Sequence, residues 1–214
     1  MRRLAILLLL GAAQRAEVID RIAVTVDAKV ITESMVLQQI RISAFQDGRD
    51  PQYTPEAKRS AAATLVSQML LIQEMDDARY PDPPMADILE QVEKLVLDRF
   101  HTAEAYRQAL ARYQVEGQDF LRFLQQQQRA FNFIDVRFRT GQQVSSEEIA
   151  EYYEKTFAPD WRKQNTGRDV PALEEVSPRI EELLMGRKVD AATEEWLKEA
   201  QSSASIRYRE EVFQ

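Results

Sequence analysis

The chain has 214 residues, a single histidine, no cysteine and a formal net charge of -7. Without thiols there are no disulfides, zinc–thiolate sites or cysteine nucleophiles, and the acidic balance disfavours a nucleic-acid partner, which needs a basic face. Only 6 glycines occur, with no Gly-rich phosphate loop or Walker motif, which argues against nucleotide use.

Met1 to Ala13 carry two arginines and then an apolar run of about ten residues, the pattern of a secretory signal. That run is too short to span a bilayer, which takes about 20 residues. Ala16 suits the position before cleavage, whereas Gln14 is poor two places earlier. Residues 1–16 therefore read as a secretory signal, the alternative being a buried N-terminal helix. The mature chain is then exported, with no stable membrane insertion after signal removal.

Ile22, Val24 and Val26 alternate with Ala23 and Thr25, the period of a half-buried strand. Asp27, Ala28 and Lys29 make a turn, and Val30 and Ile31 a short return strand. Thr32 is placed to cap a helix, with Glu33 in its first turn. A two-stranded hairpin is marginal alone. The other convincing strand, Ala204 to Tyr208, lies at the far end, so the two chain ends are expected to meet around a long helical excursion.

The first helix runs to about Gln46, with Val36, Ile40 and Ala44 at helical spacing. Thr54 and Pro55 start a second helix to about Arg79, with Ala62, Leu65, Met69 and Ile72 on one face. Asp82 is expected to cap a third, which carries Ile88, Val92, Leu95 and Arg99. Thr102 caps a fourth, with Tyr106, Leu110 and Tyr113 on one side. A longer helix follows Glu116 and Gly117, its seam formed by Phe120, Leu124, Gln127, Phe131, Ile134 and Phe138 at spacings of four and three. Ser145 and Glu148 spell a capping box before Ile149, Tyr152, Tyr153 and Phe157. Residues 158–171 hold turn formers without periodicity and read as a linker. A last helical region spans about Ala172 to Gln201, and regular helix is expected to restart at Pro178.

The order of these elements, from the strand pair Asp20–Thr32 through the Ser145–Tyr153 helix to the late helix of Leu173–Ile180 and Trp196, resembles the SurA-type periplasmic chaperones and the related parvulin-type foldases. The resemblance covers about residues 18 to 210. It implies a mostly α fold: a multi-helix module like the SurA N-terminal region, with a small β-sheet pairing the N-terminal hairpin and the C-terminal strand. Residues 17–157 would form the hairpin and helical chaperone region, and residues 172–214 would complete the same domain. In that family a parvulin isomerase domain usually sits between the Tyr-Tyr helix and the last long helix. Here only residues 158–171 occupy that place, so isomerase activity does not carry over. What carries over is ATP-independent holding of unfolded client polypeptides, outer-membrane proteins among them.

Enzymatic chemistry finds little to use. His101 and Glu104 are half of a metal-ligand pattern, which one histidine cannot close. No Ser sits in a nucleophile elbow. The acidic clusters Glu147, Glu148, Glu151, Glu154 and Glu174, Glu175, Glu181, Glu182 read as solvated helix faces beside Lys155, Arg179 and Arg187. No cofactor or metal is implied. The apolar surplus is more informative. Met69, Met75 and Met85 supply flexible, polarizable side chains suited to varied partners. Phe123, Phe131 and Phe133 crowd one helix on more than one face. These six are the candidate peptide-binding residues, the alternative being packing against neighbouring helices. Tyr152, Tyr153 and Trp161 border the junction of the missing domain, where capping of the core would account for them. Rival functions are an envelope assembly subunit with one dedicated partner and, less favoured, a prolyl isomerase. A monomer or a strand-exchanged dimer both fit.

Overall fold

The computed structural model describes residues 20–214; the expected secretory signal lies outside them. The chain is mostly helical, with one small three-stranded antiparallel sheet. Strands β1 (Ile22–Val26) and β2 (Lys29–Thr32) form the hairpin, and β3 (Ile206–Tyr208) pairs with the other side of β1. Val24 stands opposite Tyr208 and Val26 opposite Ile206, so the two ends of the described chain do meet. The turn residue Asp27 reinforces the closure: its N–H donates to the Ser205 carbonyl at 3.0 Å, and its Oδ1 accepts from the Ser205 N–H at 2.8 Å.

The expected alternation in β1 breaks at its start. A register irregularity between Ile22 and Val24 turns both Ala23 and Val24 into the core and leaves Ile22 exposed. A bulge of this kind shifts every side chain before it to the other face.

Helices α1 (Glu33–Asp47) and α2 (Pro55–Asp77) cover the sheet. Their starts are as expected: Thr32 Oγ1 accepts from the Met35 N–H and Thr54 Oγ1 from the Ala57 N–H. Gly48 ends α1 at φ +67°, a left-handed conformation that suits glycine, and a Cβ there would fall 2.7 Å from the Arg99 guanidinium. Val24, Val26, Ile31, Val36, Ala62 and Val66 form the first core, closed by Val212 and Phe213 after β3.

Helix α3 (Met85–Leu95) continues in a π-helical turn, Val96–Phe100, before α4 (Ala103–Tyr113). Asp82 does not cap α3. The helix starts after Pro84 with no side-chain cap, and Asp82 instead pairs with Arg129 at 3.3 Å. Pro83 and Pro84 keep the backbone extended beyond the point where Asp82 could reach the first free amides. Thr102 caps α4 as expected, accepting from the Ala105 N–H at 3.1 Å.

Helix α5 (Gly117–Ile134) runs into a second π-helical turn, Asp135–Arg139. Its first half joins a second core centred on Phe45, which stacks with Phe100 and meets Tyr106, Tyr113 and Phe120 edge-on. Helix α6 (Ser146–Tyr152) opens with the capping box: Ser145 Oγ accepts from the Glu148 N–H and Glu148 from the Ser145 N–H. A third π-helical turn, Tyr153–Phe157, leads into α7 (Ala158–Gln164).

Half of the expected linker is thus helical. Tyr153, Phe157 and Trp161 stack on one another at 5.7 and 5.8 Å, one helical repeat apart, and Pro159 sits in the first turn of α7. Helix α8 (Leu173–Ser203) returns to the sheet, packing on α2, on α6 and on the turn after α5. It passes through Pro178 without restarting there.

Candidate functional site

A trough runs between α2 and α5, and its two walls follow from their sequences. In α2, a strong cap and few helix breakers carry one regular helix past the sheet, so Leu71, Ile72 and Met75 continue beyond the first core. On α5, Phe123, Ala130, Phe131 and Ile134 recur at helical spacing and form the opposite wall. The hollow has a volume of about 270 Å³. No ionisable side chain lines it; the polar lining is Gln68, Gln126 and Gln127.

The trough extends in the other direction into a second hollow of about 320 Å³, reached past Gln68, Phe123 and Gln126, which line both. There α1 contributes Met35, Gln38 and Ile42. This end is polar: Asp119 accepts from the Gln38 side-chain amide at 2.6 Å and pairs with Arg122. The whole feature grades from an uncharged apolar end at Phe131 to a charged end at Asp119.

Arg129 fixes the geometry of the walls. It donates to the Tyr80 carbonyl from Nε at 3.1 Å and to Asp76 Oδ1 from Nη1 at 2.8 Å, tying the end of α2 to α5. At the far end Phe138 lies against Trp196 of α8, with ring centroids 6.1 Å apart. Arg139 reaches both Asp135 and Glu182, which locks the turn after α5 to α8.

Of the six residues expected to bind peptide, three come together here. Phe131 is 67% exposed at the rim, Phe123 is half-buried at the junction, and Met75 closes the floor with no exposed surface. The other three lie elsewhere. Phe133 is 4% exposed and packs edge-on against Tyr80 at 5.3 Å. Met69 packs against the sheet core, and Met85 stands exposed at the start of α3. The expected α5 seam fails at Phe131 because the side of α5 that is covered changes along its length. Its first half is covered on the Phe120 side and its end on the Phe133 side, so a single stripe does not stay buried along its length.

Glutamine was the signal that sequence reasoning passed over: Gln126 and Gln127 come from the run on α5 and Gln68 from α2, and all three line the trough. A separate hollow of about 410 Å³ lies between Trp161, Phe157 and α8. Trp161 Nε1–H donates to the Asp169 carbonyl and Tyr153 Oη–H to the Pro171 carbonyl, so these aromatics anchor the segment after α7.

Neither half of the His101–Glu104 pattern points at a shared ion. His101 ends its helical turn at φ +63° with Nδ1 3.0 Å from the Leu97 carbonyl, and Glu104 is held by Arg107 and Gln108. Among the described residues no three acidic or histidine side chains gather as metal ligands, and no helix is long and apolar enough to cross a membrane. The acidic helix faces carry ion pairs: Glu148 with Lys188 and Glu182 with Arg139. A hydrogen bond from Lys188, then one from the Ser145 backbone, holds Glu148 below the ordinary glutamate value, and Arg139 does the same for Glu182. No protein-family model matches the chain, and no curated protein matches it.

Proposed function

We propose that the protein is a non-enzymatic, ATP-independent periplasmic chaperone that holds unfolded segments of exported polypeptides in the α2–α5 trough, as the resemblance to the SurA-type module implies. One observation carries this reading: an uncharged apolar hollow, open to solvent, with a phenylalanine left two-thirds exposed at its rim. An exposed large aromatic beside an open apolar hollow is the arrangement of a surface awaiting a partner.

The dimensions favour weak, reversible capture. A dry cavity of about 150 Å³ takes one benzene ring, so a hollow of about 270 Å³ takes one or two large side chains. Burying each is worth about 1.5–3 kcal/mol, against an association cost of about 4–15 kcal/mol. Apolar contact alone therefore holds a client loosely, and release needs no nucleotide.

The test is aggregation of a chemically unfolded outer-membrane protein in nucleotide-free buffer, with and without the mature chain. Suppression at near-stoichiometric amounts, lost in Phe131→Ser, is the expected result. No suppression by a demonstrably folded protein overturns the holding role and favours a dedicated partner, which a pull-down would then identify.

A further inference from the structure

Apart from the trough, we infer a second binding site: the cleft between the C-terminal half of α1 and the start of α2 takes a neutral polyhydroxylated small molecule, a sugar or sugar alcohol, whose hydroxyls meet the buried Gln39 amide and the Ser43 and Ser60 hydroxyls.

The argument begins with Gln39. It is the one buried polar side chain among the described residues, 8% exposed. One end of its amide is held, with Nε2 donating to Ser43 Oγ at 3.1 Å. The other end, Oε1, has no hydrogen-bond partner among the described residues. Buried polar groups are nearly always paired, and an unmet one is costly. Among the described residues no fully enclosed side-chain nitrogen or oxygen lacks a partner, so Oε1 must reach open space. Gln39 also borders the hollow beside Met35, but Ser43 borders the cleft alone, so the held amide lies on the cleft side.

The cleft has a volume of about 740 Å³, larger than the trough or the hollow beside Trp161. Small-molecule sites span about 300–1,000 Å³. Small residues leave the room, Ala44 on α1 and Ala57 and Ala61 on α2.

The lining selects hydroxyls. Ser43, Ser60 and Thr64 stand along it with Gln39, on both helices. Hydroxyls and amides both donate and accept, and so does every hydroxyl of a polyol. The carboxylates at the mouth are already answered, Asp47 by Arg49 and Asp50 by Arg112. An ionic ligand would therefore give up hydration without gaining a free counter-charge. No aromatic ring lines the cleft, so a planar ligand finds nothing to stack on. An apolar ligand would leave Gln39 Oε1 unanswered.

The experiment titrates the full mature chain, labelled with nitrogen-15, with sorbitol, glucose and trehalose, and with glucosamine and glucose 6-phosphate as charged counterparts. Saturable amide shifts confined to residues 39–50 and 57–64 are expected with a neutral probe, and the charged sugars should bind more weakly than that probe. Gln39→Leu replaces the buried amide with an apolar group of similar size. It should keep the melting temperature and weaken binding about tenfold, the loss expected when a ligand hydroxyl is left unanswered. Should that variant fail to fold, Ser60→Ala, at an exposed position on α2, carries the same test with a loss of about threefold. No saturable shift with any neutral probe, shifts centred elsewhere, equal or tighter binding of a charged sugar, or wild-type affinity in a folded Gln39→Leu variant overturns the site.

Discussion

Phe131 and Phe133, two residues apart on α5, have opposite surroundings: the first ring is largely in solvent, while the second is buried edge-on against Tyr80. A helix turns about 200° over two residues, so one faces the trough and the other the core. Their substitutions should separate function from stability. Phe131→Ser should change unfolding free energy by less than about 0.5 kcal/mol while weakening client binding. Phe133→Ala should cost about 3–5 kcal/mol. Urea denaturation of the two variants, read beside the aggregation assay, checks both halves.

Arg129 should behave as a tie between elements. Its side chain is nearly buried and serves the Tyr80 carbonyl, Asp76 and Asp82 together. Replacing it with methionine keeps much of the packing and leaves the Tyr80 carbonyl without this donor. Hydrogen bonds to charged groups contribute about 1.5–3 kcal/mol each, so Arg129→Met should destabilise by about 2 kcal/mol. Hydrogen exchange should show the loss concentrated at the end of α2 and the loop before α3.

Acid should weaken the grip of α8 on its neighbours. Glu148 and Glu182 both titrate below their ordinary value of 4.5, held down by Lys188 and Arg139 respectively. A carboxylate depressed in the folded state contributes stability above its unfolded value, and this is lost as pH falls through the folded value. Glu148→Gln keeps a residue able to complete the capping box but loses the ion pair. Its melting temperature should lie below the wild type at neutral pH. The two curves should converge as pH drops below 4.5, and a gap that persists unchanged at acid pH would refute the ion pair's part in it.

Trp161 should be silent to client. It is stacked on Phe157 and hydrogen-bonded to the Asp169 carbonyl, away from the α2–α5 trough. In a Trp196→Phe background its emission maximum should not move when peptide is added. A shift would place the client in the hollow between α7 and α8 instead.

Where local chemistry decides an element, the sequence was easily read. Thr32, Thr54, Thr102 and the Ser145–Glu148 box announce helix starts because a side-chain oxygen satisfies amides a few residues away. The meeting of the chain ends was legible because a lone hairpin needs a third strand. Less legible were features set by what lies across the fold. The bulge in β1 depends on how the sheet meets α1 and α2. The helix over Ala158–Gln164 hides among turn formers, although Tyr153, Phe157 and Trp161 already stood at helical spacing. The exposure of Phe131 and burial of Phe133 depend on where α5 leaves the Phe45 core and Tyr80 covers its other side, which no single-helix period records. The trough drew three of its residues from the six aromatics and methionines singled out, and of its three glutamines only Gln127 stood out, as a position in the α5 seam.

The pairing of Asp27 with Ser205, 178 positions along the chain, sets the order in which the molecule can mature. A polypeptide emerging from a ribosome or translocation channel presents its amino-terminal part first. The hairpin then waits with one flank of β1 unoccupied until nearly every later residue has been delivered. Only then does β3 arrive, with Val212 and Phe213 sealing the hydrophobic layer beneath it. Assembly of the sheet is therefore a terminal event, and a polypeptide cut short before β3 would leave one flank of β1 unpaired, a template for pairing with another chain.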